Sequence, residues 1–300
     1  MGAQLRLLRR RIKSVRSTAK ITRAQELIAS SRIVKAQARM AAAVPYEREI
    51  TRAVSAVVSG TTSVSHPLTV AKENPAKAGV LIVTSDRGFA GGFNANLLRE
   101  AEALAGLLRD RGVMPVPFVA GRKGIAWHSF RGRPMGASWS GFSDNPTYAH
   151  AKEIADTLIE AFKDENGIDE IHIVSTSFVS MLTQAVVVKR VLPLEIEVTT
   201  EAPAAGPLPY FEFEPTADGV LDTLLPRYVE SRIFNALLQS AASEHAARRR
   251  AMKSATDNAN ELIRVFTQQM NQARQAEITQ EISEIVGGAN ALADAAAGKE

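Results

Sequence analysis

Residues 85–94, SDRGFAGGFN, follow the apolar run Val80 to Val83 and set Asp86 and Arg87 beside Gly88, Gly91, Gly92 and Asn94. An acid, a guanidinium and three glycines after a β-favouring run are the parts of a loop whose backbone amides hold a phosphate at the head of a helix. They are equally the parts of a tight turn that packs a strand against a helix. A phosphate loop of the G-x-x-x-x-G-K-[ST] type needs a lysine and a hydroxyl for charge and magnesium. Residues 88–95, GFAGGFNA, have neither. The dinucleotide fingerprint G-x-G-x-x-G also fails, because the spacing here is G-x-x-G-G. The expectation is a structural turn in which Asp86 and Arg87 are local hydrogen-bonding partners, with an anion at the start of the following helix left open.

Little else in the chain has the spacing of a reaction centre. The absence of cysteine removes disulfides, thiolate nucleophiles and cysteine metal sites together. His66, His128, His150, His172 and His245 are scattered without an HExxH-type arrangement and are read as surface or packing residues. There is no G-x-S-x-G elbow, no triad and no isolated carboxylate pair that spacing assigns to acid–base work. No catalytic residue, metal or cofactor is expected.

Charge is more informative. The net charge of +4 conceals 13 Lys and Arg against three glutamates in residues 1–60, a local balance of +10 that leaves −6 for the remainder. Such a segment suits nucleic acid, anionic lipid or an acidic protein surface, and charge alone does not choose among them. No stretch approaches the ~20 apolar residues of a membrane span, and no hydrophobic leader region follows the first arginines, so neither an integral membrane protein nor an evident secreted one is expected.

The elements that must carry these residues follow from periodicity. Leu5, Ile12, Ala19, Glu26, Ile33, Met40, Glu47 and Val54, with Leu8, Val15, Thr22, Ala29, Ala36, Ala43, Ile50 and Val57, keep a seven-residue rhythm. That spacing predicts one long helix over 1–59 with a narrow coiled-coil seam, kinked or interrupted at Pro45. A Ser/Thr/Gly/Pro-rich linker is expected at 60–76. Over 77–209, β-favouring runs at 80–84, 116–120 and 171–175 alternate with helical stretches at 95–111 and 147–163, which predicts a central Rossmann-like α/β domain with a mostly parallel sheet. Residues 185–192 are expected to add an edge strand. Over 210–288 a foot segment is followed by a long C-terminal helix that starts at Pro226 after a short helical piece at 217–224. Its seam is read as Met252, Ala255, Ala259, Leu262, Phe266, Gln269, Ala273 and Ala276, then Ile278, Ile282 and Ile285, with a stop at Gly287 and Gly288 and a tail at 289–300. Since neither terminal helix can bury its stripe alone, the two are expected to pair as a long antiparallel coiled coil, giving a rod with a globular foot.

Three stretches together, RRRIKSVRSTAKITRA at 9–24, SDRGFAGGFN at 85–94, and ASEHAARRRAMKSATDNANELI with RQAEITQEISEIVGGANAL at 242–263 and 274–292, resemble the gamma subunit of bacterial F-type ATP synthases. The resemblance spans nearly the whole chain. It implies a non-catalytic central-stalk rotor, present in one copy, whose partners are three alpha and three beta subunits, an epsilon subunit and the c-ring. It also implies that the chain sits peripherally on the cytoplasmic face of the plasma membrane and binds no nucleic acid. Carried over by motif, Lys20, Ile21, Thr22 and Gln25, and Arg274, Gln275, Thr279 and Glu281, would face the alpha/beta hexamer, while Phe211, Phe213 and Glu214 would lie on the c-ring side. Two departures stand out: Gln25 occupies a position where many relatives have methionine, and Phe89 and Ala90 replace a common leucine and cysteine. The competing reading is a basic coiled-coil protein for nucleic acid or anionic lipid, which predicts salt-dependent binding to polyanions; a cryptic nucleotide-binding α/β protein would instead bind nucleotide saturably.

Overall fold

The computed structural model describes residues 2–60, 66, 68–69, 71–194 and 216–297. Phe211, Phe213 and Glu214 lie outside the described residues, as do 61–65, 67 and 70 of the expected linker. In chain order the elements are α1 (Gly2–Gly60), β1 (Lys77–Val83), α2 (Phe93–Asp110), β2 (Met114–Ala120), α3 (Arg122–Phe130), β3 (Ala137–Trp139), α4 (Tyr148–Lys163), β4 (Glu170–Phe178), β5 (Gln184–Leu192) and α5 (Ala217–Ala297). This is an α/β chain whose terminal helices form a long antiparallel coiled coil. Two compact units are distinguished: residues 1–28 with 250–300, and residues 29–249.

The first unit is a helix pair. Of its seam positions on α1, Leu5, Leu8, Ile12, Ala19, Thr22 and Glu26 are buried, and Val15 is half-buried. The Thr22 and Thr256 hydroxyls share a hydrogen bond of 2.7 Å, and the Arg11 guanidinium lies 5.9 Å from the Phe266 ring centroid. Moving down α1 from 22 to 11 therefore moves up α5 from 256 to 266, which fixes an antiparallel pair. On α5 the positions turned inward are Met252, Thr256, Ala259, Ile263, Phe266, Met270, Ala273 and Glu277. The expected seam had Leu262, Gln269 and Ala276, all of which are exposed; each true seam position is the next residue along. Leu262 and Ile263 are equally suited to a seam, and Met270 beside Gln269 favours one phase while Ala276 beside Glu277 favours the other, so the pattern of apolar residues does not fix the phase. The contact of Thr22 with Thr256 does.

The second unit is built on a five-stranded sheet of order β3-β2-β1-β4-β5, parallel except for β5, which pairs antiparallel to β4 at the edge. Alternation along β1 sends Ala78, Val80 and Ile82 to one face and Leu81 and Val83 to the other. The first face packs on Leu97, Leu98, Ala101 and Leu108 of α2. The second packs on Ala151, Ile154, Ala155 and Leu158 of α4, Val54 and Val57 of α1, and Leu221, Leu225, Val229 and Ile233 of α5. Each of these three sets has helical spacing, so each helix presents one stripe to the sheet. A fully buried Leu or Ile such as Leu81, Ile154 or Leu225 contributes about 1.5–3 kcal/mol. Seam positions Ala29, Ile33, Ala36, Ile50, Val54 and Val57 of α1 are buried as expected, and Met40, Ala43 and Glu47 are half-buried.

Several sequence expectations change here. Pro226 lies inside α5 rather than opening it, so the short helical piece at 217–224 is the first part of one 81-residue helix, whereas Pro45 lies inside α1 within the single helix expected over 1–59. The Gly287–Gly288 pair does not stop α5, which runs on to Ala297. Two glycines in an exposed helix cost only about 1 kcal/mol each relative to alanine, and without a left-handed C-terminal residue they form no cap. α3 and β3, both short, were not foreseen. The linker is not wholly a solvated loop: His66 and Leu68 are buried, and His66 Nε2 lies 2.9 Å from Asp222 Oδ1 of α5.

Candidate functional site

The SDRGFAGGFN loop leaves the C-terminal end of β1 at the place where the sheet changes direction, since β2 lies on one side of β1 and β4 on the other. In open parallel sheets this is where nucleotides bind. Here the space is filled by protein. Every residue of α5 from Ser240 to Arg248 is buried. Thr176 N–H donates to Ser240 Oγ at 3.1 Å, Phe178 N–H donates to Gln239 Oε1 at 2.9 Å, and the Ser243 hydroxyl donates to the Thr176 carbonyl at 3.3 Å. What remains between the end of β1, Phe142, Ser143 and Glu244 is a cavity of about 10 Å³, room for one water at most.

The loop's polar groups are spent on holding this arrangement. Asp86 Oδ2 accepts from the N–H groups of Gly141 at 2.8 Å and Ser143 at 2.9 Å, and Oδ1 accepts from Arg122 N–H at 3.1 Å. Burial pushes the Asp86 carboxyl up, but these three donors with the Arg122 guanidinium outweigh it and hold the carboxyl below its ordinary value. Asn94 Oδ1 accepts the Ser85 N–H at 2.9 Å, and the Ser85 hydroxyl donates to the Arg87 carbonyl at 2.7 Å. The carbonyls of Arg87 and Gly88 point at Arg248 of α5, whose Nη2 donates to them at 3.3 and 3.2 Å. Gly91 adopts φ +57, which glycine takes without strain, and Phe89 adopts φ +60 with its ring 80% exposed. Gly121 matters in the same way one strand over: at φ +99, a Cβ there would stand 2.3 Å from the Thr84 carbonyl oxygen. Gly88 and Gly92 have no such constraint; a Cβ at either would meet only side-chain atoms at 3.3 Å or beyond.

Arg248 belongs to an ionic cluster that spacing had not revealed. It pairs with Glu244 at 2.7 Å, and both are buried. Burial pushes the Glu244 carboxyl up despite Arg248 and the Ser143 hydroxyl. His245 Nε2–H donates to the Asp144 carbonyl at 3.2 Å, and burial beside Arg248 and Arg32 pulls the imidazole down to about 4, so it is neutral near pH 7. Asp144 in turn receives Arg32 of α1 at 2.5 Å and Arg87 at 3.8 Å. In sequence, SEHAARRR resembles a solvated charge run.

The helix pair of the first unit offers a different surface. Lys20, Ile21 and Gln25 are exposed on α1, and Arg274, Gln275, Thr279 and Glu281 are exposed on α5. Thr22 is turned inward onto Thr256, so its hydroxyl does not face outward with its neighbours. The two groups are not side by side: residue 256, opposite 22, precedes 274 by about 27 Å of helix at 1.5 Å per residue. Continuing the same register, α1 runs out opposite roughly residue 276. Ile278, Ile282, Ile285 and Val286 beyond that point are exposed, Ile285 by 71%. Among the described residues no group of histidines and carboxylates has the arrangement of a metal site, and no helix is long and apolar enough to cross a membrane.

A family model described as ATP synthase matches residues 4–292. The chain is 64% identical over 295 residues to the ATP synthase gamma chain of Acidothermus cellulolyticus, covering 97% of this chain and 98% of that one. It belongs to the ATP synthase gamma chain family. The gamma chain of Thermobifida fusca is 58% identical, with both chains covered in full. Among solved structures, a chain from the rotor of Euglena gracilis mitochondrial ATP synthase superposes with a TM-score of 0.67 over 93% of this chain at 14% identity, a likeness of fold. A chain from the central stalk and c-ring of the Tetrahymena thermophila mitochondrial enzyme gives 0.56 over 78% at 23% identity. Within the gamma chain fold, the glycine loop is thus a clamp on α5, and the reading as a polyanion-binding coiled coil has no support.

Proposed function

We propose that this chain is the central-stalk rotor of an F-type ATP synthase, coupling c-ring rotation to ATP synthesis, or the reverse, on a hexamer of three alpha and three beta subunits. Its partners are that hexamer, the epsilon subunit and the c-ring. The observation that carries the reading is a match to gamma chains along almost the whole sequence, in a chain whose terminal helices bury their seam on each other and leave a second face outward. A rotor acts by contacting alternative states of its surroundings differently at each angle, so the ligand chemistry stays on the surrounding subunits. This chain then contributes no catalytic group and binds no cofactor.

Lys20, Ile21 and Gln25 with Arg274, Gln275, Thr279 and Glu281 are assigned to the hexamer-facing surface, supported by their exposure. Thr22 contributes there through its backbone position and its seam contact. Phe211, Phe213 and Glu214 are assigned to the c-ring side on the sequence motif alone, and the chain to the cytoplasmic face of the plasma membrane as a peripheral subunit. The working division remains 1–59 and 210–288 for the axle and foot segment, 77–209 for the α/β domain, 60–76 as linker and 289–300 as tail. The excess of positive charge on the first sixty residues suits acidic surfaces on the surrounding subunits, where it would hold rotor angles by electrostatic complementarity.

Reconstitution tests this. The purified chain, mixed with its cognate alpha and beta subunits, is expected to give a complex with one copy per three alpha–beta pairs and multisite ATP hydrolysis that requires it. Lys20→Glu is expected to preserve assembly and lower turnover. Failure of the folded chain to join a folded hexamer overturns the rotor reading, whereas an unaffected Lys20→Glu enzyme removes only that contact.

A further inference from the structure

Between α1, α4 and α5 in the second unit lies a half-open cleft of about 440 Å³, within the size range of small-molecule sites. Ala42 and Ala43 leave the room for it, and Tyr46, Tyr148 and Phe234 supply aromatic surface. The rings are held edge to face, Tyr148 against Tyr46 at 6.4 Å and against Phe234 at 5.6 Å. Tyr148 is fixed further by its hydroxyl, which donates to Glu230 at 2.5 Å. The walls are therefore formed before any ligand arrives, and little ordering cost remains for binding.

The charges around the cleft select among ligands. Glu47 is engaged by Arg232 at 3.0 Å and by the Asn235 amide. Glu230 has Tyr148 and, at 3.6 Å, Lys152. Both carboxylates are thus neutralised, which disfavours a cationic guest despite the aromatic walls. Arg227 also lines the cleft, is exposed, and has no carboxylate partner among the described residues. It shares the lining with three aromatic rings and two alanines. We propose that this cleft binds a small monoanionic amphiphile, its aromatic or alkyl body on Tyr46, Tyr148 and Phe234 and its carboxylate or sulfonate on Arg227. Nothing in the rotor role requires such a site, so its test is independent of that role.

The test uses the full chain and two fluorescent probes with similar bodies, anionic anilinonaphthalene sulfonate and neutral phenylnaphthylamine. One sulfonate probe per chain is expected to bind saturably, to be displaced by decanoate, and to bind more tightly than the neutral probe. Arg227→Gln is expected to weaken it about fivefold, the effect of losing one partly exposed ion pair. Ala43→Leu is expected to abolish binding by filling the cleft, with the thermal midpoint recorded for each variant. If Ala43→Leu lowers that midpoint, Arg227→Gln decides, since its side chain is exposed. The apolar end of α5 is the competing site, so a variant carrying Ile282→Ser and Ile285→Ser is expected to bind like the parent. Equal binding of the neutral probe, an unaffected Arg227→Gln chain, or loss of binding in the α5 variant each overturns the proposal.

Discussion

α5 passes through two surroundings. In the second unit, from Ser240 to Arg248, it is buried on every side and its polar groups are matched to the ends of β1 and β4. In the first unit, from Arg250 onward, only a narrow stripe is covered, and from Ile278 to Ala291 nothing is. One continuous helix thus carries two kinds of stability. The buried stretch is specified by the α/β domain around it, where an unmatched charge is expensive. The exposed stretch is specified by α1 along one seam, and its remaining faces are free for other subunits. A rotor needs both: a part fixed to its own domain, and a part whose contacts change as its surroundings change.

The strongest way to break this contrast is at Arg248. Replacing it with alanine leaves Glu244 buried without its ion-pair partner and frees the carbonyls of Arg87 and Gly88. The expected cost is about 3–5 kcal/mol, read as a lowered denaturation midpoint. Hydrogen exchange is expected to speed up at residues 85–92 and to stay unchanged at 5–22. Equal loosening of both units would mean that they are not separately stabilised. Arg264, whose ion pair with Glu261 is exposed, serves as control: Arg264→Ala is expected to shift the midpoint very little.

A second difference is expressed in pH. His245 has its pKa pulled down to about 4 by burial first, with Arg248 and Arg32 acting the same way and the Asp144 carbonyl opposing them. Between the ordinary histidine value near 6.5 and about 4, the unfolded chain takes up a proton here that the folded chain does not. Stability from this group is therefore complete above pH 6.5 and is lost as pH falls, by about 3 kcal/mol at pH 4. Glu244, with its pKa raised, acts in the opposite sense, so the informative quantity is the difference between the parent and His245→Gln. That difference is expected to shrink steadily as pH falls from 6.5 to 4. A difference independent of pH removes His245 as the titrating group. The first unit has no histidine, and its exchange rates, corrected for intrinsic pH effects, are expected to show no such term.

Inside the first unit, the Thr22–Thr256 pair fixes how the helices match. Either threonine changed alone to valine leaves a buried hydroxyl without its partner and is expected to cost about 1 kcal/mol. Changing both is expected to recover most of that, because two valines suit an alanine-lined seam. Additive losses would mean that each hydroxyl is satisfied within its own helix. Thr22 has the Ala19 carbonyl at 3.1 Å and Thr256 the Met252 carbonyl at 2.9 Å, so the cycle measures a real competition.

These two threonines also mark where the sequence was legible. The α1 stripe was readable because its seven-residue rhythm is sustained along the whole helix, whereas off-stripe apolar residues such as Ile21, Ile28 and Val34, all exposed, do not sustain that period. On α5 the sequence around Leu262 and Ile263 offers two adjacent apolar residues, and the phase is decided by a partner more than 230 positions away. The α/β order was readable from runs such as Val80 to Val83, whereas β3, at three residues, has no periodicity to detect. Asp86 and Arg87 were expected as local hydrogen-bonding partners; Asp86 accepts three backbone N–H groups, while Arg87 takes part through its carbonyl. Arg248 was not expected, because a charged residue in an alanine-rich helix has the same sequence pattern whether water or two loop carbonyls receive its hydrogens. The outward residues Lys20 and Arg274 came from family resemblance; exposure agrees with that assignment, but periodicity would have passed over both.

The smallest expected effect lies at the junction of the two kinds of surface. Phe89 belongs to the clamp loop by its backbone but to solvent by its side chain, which is 80% exposed and packs on little. Its φ of +60 is sparsely populated for a bulky residue and is held by what surrounds it: Ser85 with Asn94 before and after, and Arg248 on the carbonyls of Arg87 and Gly88. Asparagine tolerates this conformation better. Phe89→Asn is therefore expected to raise the stability of the isolated chain by about 0.5 kcal/mol, read from the denaturation midpoint. If the ring is kept outward for a neighbouring subunit, the same variant, more stable alone, is expected to bind the alpha/beta hexamer less tightly. A stability gain with undiminished assembly would instead make Phe89 a strained residue with no partner, and would confine the clamp's role to holding α5.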